Sequence, residues 1–430
     1  MDTLAIARSS RVGTVLGLTA AIGLLAACGG GGGGGGGGGT GGGSSCDDFD
    51  CQGMLENLAN NVMLPTYETF RAESEAMVSA VSDYCTALDT SDPATAERDN
   101  ARQAWRDAMA AWQRADVMQV GPLVANSSEL RDTIYSWPST NACAVDQDVI
   151  LAHEAANTSA TYDIGSRTLT RRGMDALEYA LFSDPTTAQC PSSVSGFETT
   201  PGDEGYWTLL SDPERREARC VFAEQAAADV ANQARTLVES WDGTSGDFLA
   251  ELTSPGSGAS RYDSVEEAVN AVSDGLFYVE KQTKDIKLAE PLRLKASTCG
   301  AASPGEVCLE AVESPWSDNS KANIRNNLLA LQLMYLGNEP GGTPATGFDD
   351  YLSSAGGDNV SSMLANNIDA AVASVSDATM RDTLTQTLQS ERPLVESAHT
   401  ATKTVTDELK NDFLQVLGLS IPDSAAGDGD

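Results

Sequence analysis

Two carboxylates, Asp175 and Glu178, stand three residues apart in the stretch RRGMDALEYALFSD at residues 171–184. On a helix that spacing points both from one face. Met174, Leu177, Tyr179, Leu181 and Phe182 surround them with residues that ordinarily pack inward. A buried acid requires a positive partner, a metal or a proton, so the chemistry on offer is cation binding or proton exchange. The plainer alternative is a solvated pair on the polar side of an amphipathic helix. The chain has two histidines, His153 and His399, far apart in sequence, and no CxxC or Cys/His cluster. A zinc site built on several imidazoles or thiolates is therefore excluded.

The elements that must position these acids read as helices. Ala101, Trp105, Ala108, Trp112, Ala115 and Gln119 form one stripe, with Asp116 beside its inner edge. Phe222, Ala226, Val230, Ala234, Leu237 and Trp241 form another. Val265, Val269, Val272, Leu276 and Val279 make a third, after Ser264 and Glu267 spaced as a capping box. Val405, Leu409, Phe413 and Val416 mark the last, closed by Gly418 and Pro422. No segment alternates with period two, and the class is all-α. The roughly 385 residues from Cys46 onward exceed a usual single core. The Gly/Ser/Thr/Pro-rich stretch 242–258 is the best boundary, giving domains at 46–245 and 258–430, each with material for about four long helices.

Residues 1–27 carry Arg8 and Arg11 ahead of an apolar run and read as a cleavable export signal. Leu25-Ala26-Ala27-Cys28 resembles the lipobox of bacterial lipoproteins, which implies a lipid anchor on Cys28 and contact with a membrane through it. Gly29 after the cysteine resembles the sorting pattern for the outer membrane, facing the periplasm. Residues 28–45, nearly all glycine and serine, form a flexible tether. Without residues 1–27 the chain has 25 basic and 61 acidic residues, from totals of 27 and 62 less Arg8, Arg11 and Asp2, a net charge of −36. Such a surface repels nucleic acid and anionic lipid headgroups. Eight cysteines remain after Cys28, an even count that favours disulfides in an exported chain. Cys299 and Cys308, bracketing a short Gly/Pro-containing loop, are the favoured pair.

Four stretches in order resemble the imelysin family: AWRDAMAAWQRADVMQVGPL (104–123), IYSWPSTNACAVD (134–146), RRGMDALEYALF (171–182) and LQVLGLSIPDSAAGDGD (414–430). NIRNNLLALQLMYLG (323–337) extends the likeness over nearly all of the chain after the tether. The resemblance implies two similar four-helix bundles packed together, a functional site at their interface, and an association with iron uptake and its components. It also implies a Gly-x-His-x-x-Glu signature, first linked to metallopeptidases. Here that signature reads Gly173-Met174-Asp175-Ala176-Leu177-Glu178, with Asp175 in the histidine's place. Hydrolysis on zinc prefers imidazole ligands, so the substitution weighs against a peptidase and leaves a binding protein as the leading expectation. An oxygen-only site suits iron or another hard cation such as Ca²⁺, Mg²⁺ or Mn²⁺.

Matched onto the family pattern, Asp116 becomes a candidate third ligand, with Trp112 beside it on its stripe. Gly173, Trp137 and Asp146 become wall or support. Arg131 is a candidate neutraliser of the acids, and Asn327 and Tyr335 are candidates to face the site from the second half. A metallopeptidase and a structural or interaction lipoprotein, its acids held by Arg131 or Arg172, remain the alternatives.

Overall fold

The apolar stripes wind into long helices, and the computed structural model describes residues 46, 48–88 and 93–422. The signal segment, Cys28, the tether and the acidic end at 428–430 lie outside those residues. The helices that frame the first half are α1 (Leu64–Ala87), α2 (Thr95–Ala115), α3 (Ala142–Asn157), α4 (Gly173–Phe182) and α5 (Asp212–Trp241). In the second half come a π-helical segment, Val279–Ala289, and then α6 (Ser320–Leu336), α7 (Asp358–Ser374) and α8 (Arg392–Glu408). Among the described residues the strands amount to one hairpin, Thr199–Thr200 against Asp203–Glu204. The protein is all-α.

Each half closes a ring of four helical elements. α1 packs on α2 and α5, and α4 packs on both α2 and α5, while α3 lies outside against α4 and α5. Tyr67 against Trp241 and Phe70 against Trp112, each pair at 5.1 Å between ring centroids, fill the first core. In the second ring α6 contacts α7, α7 contacts α8, and the π segment contacts both α6 and α8. α2 packs directly on α6 and joins the two rings into a seam. Phe70, Trp105, Trp112, Trp241, Phe277 and Tyr335 are all fully or almost fully buried. Each such side chain contributes about 1.5–3 kcal/mol of transfer free energy.

Local chemistry sets the ends. At the start of α5, Pro213 sits in the first turn and Glu214 Oε2 accepts the Ser211 backbone N–H at 2.7 Å. α6 stops at Gly337 (φ +69°), and the helical run following α8 stops at Gly418 (φ +67°), the residue the sequence marks as its end. The valine stripe from Val265 does not form one helix. It passes from an α-helix (Val265–Ser273) through a 3₁₀ turn (Asp274–Phe277) into the π segment, along which Lys284 and Lys287 are buried.

The stretch 242–258 holds a short helix, Phe248–Thr253, because Phe248 and Leu252 are apolar and find burial. Phe248 meets Trp241 edge-on at 4.8 Å. Residues at the start of the described chain pack on the second half: Phe49 stacks on Tyr351 at 4.8 Å, and Asn57 donates to the carbonyls of Gly337 and Thr346. Disulfides join Cys46 to Cys51, Cys85 to Cys220, Cys143 to Cys190 and Cys299 to Cys308.

Candidate functional site

Gly173 makes the site possible. Its φ is +86°, and a Cβ there would stand 2.7 Å from the Ile134 carbonyl oxygen and 2.9 Å from that of Thr133. Only glycine lets α4 begin against this backbone. That approach lays residues 135–140 along the first turn of α4. Trp105 on α2 grips the same turn, its indole N–H donating to the Met174 carbonyl at 2.9 Å.

Asp175 is 2 % exposed. Its Oδ2 accepts from the Ser136 hydroxyl at 2.8 Å and from the Thr140 hydroxyl. Oδ1 is buried and receives no well-aligned hydrogen bond. Burial pushes its pKa up to about 7, against the opposite pull of the Ser136 hydroxyl and nearby backbone N–H groups. Glu178, one turn on, is 1 % exposed and reaches the second half of the chain. Its Oε1 accepts from the backbone N–H and hydroxyl of Ser317, both at 2.8 Å, and from the Trp316 N–H at 3.2 Å. Burial raises it to about 8, with the charges of Asp175 and Glu313 adding to the rise.

Glu313 is the third acid, and the motif reading does not include it. Its Oε1 accepts from the Tyr135 hydroxyl at 2.8 Å and from Gln113 Nε2 at 3.2 Å, and lies 3.0 Å from Lys287 Nζ. Its Oε2 is buried without a partner among the described residues. Tyr135 is held well above its ordinary pKa by burial first, then by the charges of Glu313, Glu178 and Asp175, so its hydroxyl keeps its proton. Lys287 completes a cage of oxygens, donating to Gln113 Oε1 at 2.6 Å and Asn327 Oδ1 at 2.8 Å. Asn327 in turn donates to the Gln113 carbonyl and side chain.

The remaining candidates distribute unevenly. Asp116 is buried at the seam but engages other groups: Tyr278 donates to it at 2.7 Å and Gln119 at 3.3 Å. Burial raises its pKa, countered chiefly by Arg131. Arg131 is ion-paired with Asp132, so its charge serves Asp116 and Asp132. Arg172 forks onto Asp229. Trp112 lies in the core on Phe70, while Trp105, on the same stripe, holds the motif helix. Trp137 sits half-buried in the turn that carries Ser136 and Thr140. Asp146 anchors the far side of α4, accepting from Tyr179 at 2.9 Å and from the Gln189 N–H at 2.6 Å, and pairing with Arg219 at 2.7 Å. Asn327 enters the seam network; Tyr335 does not, donating instead to the Ser361 carbonyl. His153 is buried against Tyr206.

Among the described residues no three His, Cys, Asp or Glu side chains converge as a ready metal site. The donor chemistry nonetheless fits a hard cation: three buried carboxylates, no sulfur or imidazole, and two unpartnered oxygens, Asp175 Oδ1 and Glu313 Oε2. In this closed arrangement burial favours the protonated forms of Asp175 and Glu178.

The Imelysin (peptidase M75) family model matches residues 63–410. Iron-regulated protein A of Synechococcus elongatus is 23% identical over 300 residues, covering 69% of this chain and 68% of that protein. A crystal structure from Parabacteroides distasonis, described as an iron-regulated protein A precursor, superimposes with a TM-score of 0.62 at 17% identity, over 86% of this chain and 96% of that one. An imelysin-like protein from Psychrobacter arcticum gives 0.58 at 15% identity, over 87% and 98%. With its helical rings, its seam and a family model spanning most of its length, this chain belongs to the imelysin family.

Proposed function

We propose that this protein is a cell-envelope binding module that takes up a hard cation, iron foremost, at the seam of its two helical rings, with Asp175, Glu178 and Glu313 as the contacts. The observation that carries the reading is the pair of buried, unpartnered carboxylate oxygens, Asp175 Oδ1 and Glu313 Oε2, in one acidic cluster. A positive ligand would relieve both. The emphasis on iron draws on the name of the Synechococcus relative. The envelope assignment draws on eight paired cysteines, which persist in oxidising compartments, and on the lipobox resemblance at Cys28. Cys28→Ala is expected to release the protein from the membrane fraction, and unchanged membrane retention would refute the anchor.

Uptake of a cation displaces protons from Asp175 and Glu178, so affinity rises as pH increases from about 6 to about 8.5. The test is calorimetric titration of the full chain with ferric iron, Ca²⁺, Mg²⁺, Mn²⁺ and Zn²⁺, followed also by melting. A ligand bound only by the folded state adds about 2.7 kcal/mol at a hundredfold excess over Kd. Binding lost in Asp175→Asn and Glu313→Gln supports the site; no binding by any of the five ions removes it.

One observation favours a hydrolytic alternative. Asp175 and Glu178 titrate near neutrality, where general acid–base groups work best. Metal-dependent cleavage of an unfolded protein, lost in Glu178→Gln, would establish that reading.

A further inference from the structure

A cleft of about 590 Å³ opens between the start of α1, α2 and the loop after α6, and Arg114 is its one basic lining residue. The Arg114 guanidinium is oriented by Asn326, whose Oδ1 accepts from Nε at 3.2 Å. Nη1 pairs with the Glu339 carboxylate at 3.0 Å, and Nη2 has no partner among the described residues. A planar fork of this kind matches a carboxylate. The carboxylate it now holds comes from the protein's own loop.

That loop is tied to the fold at its base. Its base is fixed by Asn57 Nδ2, which donates to the Gly337 and Thr346 carbonyls at 2.9 Å each. Between these points the hydrogen bonds are internal: Asn338 to the Thr343 carbonyl, and the Gly342 N–H to the Glu339 carbonyl. The Glu339 side chain is 61% exposed, and among the described residues the Arg114 ion pair is its only side-chain tie. It can therefore leave without disturbing the fold.

The opposite wall specifies what could replace it. Thr66 and Thr69 both commit their hydroxyl protons to backbone carbonyls, Val62 and Pro65, at 2.7 and 2.8 Å. Each hydroxyl oxygen still accepts. A ligand complementary to this cleft brings a carboxylate for Arg114 and a hydroxyl that donates to one of the threonine oxygens. We propose that the cleft binds a small hydroxycarboxylate, with the Glu339 carboxylate as a displaceable internal competitor.

The experiment is calorimetric titration of the full chain with malate and citrate, in the presence of EDTA, with acetate and inorganic phosphate as controls. Saturable binding of malate or citrate is expected, with acetate weaker. Glu339→Gln should tighten it about 2- to 5-fold, the range of an exposed ion pair removed as competitor. Arg114→Gln should weaken it at least about 10-fold, with its melting temperature near that of the parent because the side chain is a third exposed. Asp175→Asn, away from this cleft, should change nothing; loss of binding in that variant would assign the anion to the seam and overturn the proposal. So would absence of binding by both the parent and Glu339→Gln, binding indifferent to Arg114→Gln, or preference for phosphate.

Discussion

Lys287 Nζ lies 3.0 Å from Glu313 Oε1, and the two side chains are 1% and 0% exposed. The pair bridges the π segment and the loop before α6, and through Gln113 it binds α2 of the other ring. Removing one member of a buried pair strands the other. Lys287→Met is expected to cost about 3–5 kcal/mol in urea unfolding. The double variant with Glu313→Gln should recover a large part of it, and equal losses in single and double variants would show that the lysine acts through packing alone.

The pH dependence of stability has a definite sign. Asp175 and Glu178 have folded pKa values of about 7 and about 8, above their ordinary 3.8 and 4.5. Between roughly pH 4 and 8 the folded state therefore holds more protons than the unfolded chain. Their contribution is fully present at low pH and is lost as pH rises through 7 and 8. Melting temperature should fall across that interval, and Asp175→Asn with Glu178→Gln should flatten the fall, by an amount on the order of a few kcal/mol. An unchanged slope in the double variant would assign the pH dependence to other groups.

Gly173→Ala sets a methyl group against two carbonyl oxygens at a φ of +86°. The expected loss is about 2–4 kcal/mol from backbone strain and overpacking. Near-parental stability in equilibrium unfolding would mean that α4 shifts freely, contrary to its grip by Trp105.

The Cys85–Cys220 bond closes a separation of 135 residues between α1 and α5, and Cys46–Cys51 closes one of 5. Loop-entropy arguments make the longer link the more stabilising, at roughly 4–5 kcal/mol. Replacing Cys85 and Cys220 by serine should lower the melting temperature well beyond the same change at Cys46 and Cys51. The reverse order would show that local geometry outweighs chain entropy.

Part of this was readable in the residues. The 3.6 periodicity of Trp105 and Trp112 gives a helix, and the apolar neighbours of Asp175 and Glu178 point to at least one acid near buried surface, where the structure buries both. Periodicity cannot rank two residues on one stripe, so it does not separate Trp105, which holds α4, from Trp112, which fills a core. Glu313 escaped because its significance comes from Tyr135 and Gln113, 178 and 200 residues away. Spacing rules see only near neighbours. Lys287 escaped for another reason: a lysine at such a position is ordinarily given to solvent, and its burial is set by Glu313, Gln113 and Asn327, which are distant in sequence.

Glu178 takes its hydrogen bonds from Ser317, 139 residues later in the chain. On the ribosome, or emerging through any narrow channel, α4 therefore exists for a long interval before the loop that covers it. During that time its carboxylate faces water and is ionised. Closure of the seam must then draw a proton, or a cation in its stead, out of the surrounding medium. Closure of the seam over Glu178 is thus expected to respond to the acidity and ion content of the compartment in which it happens.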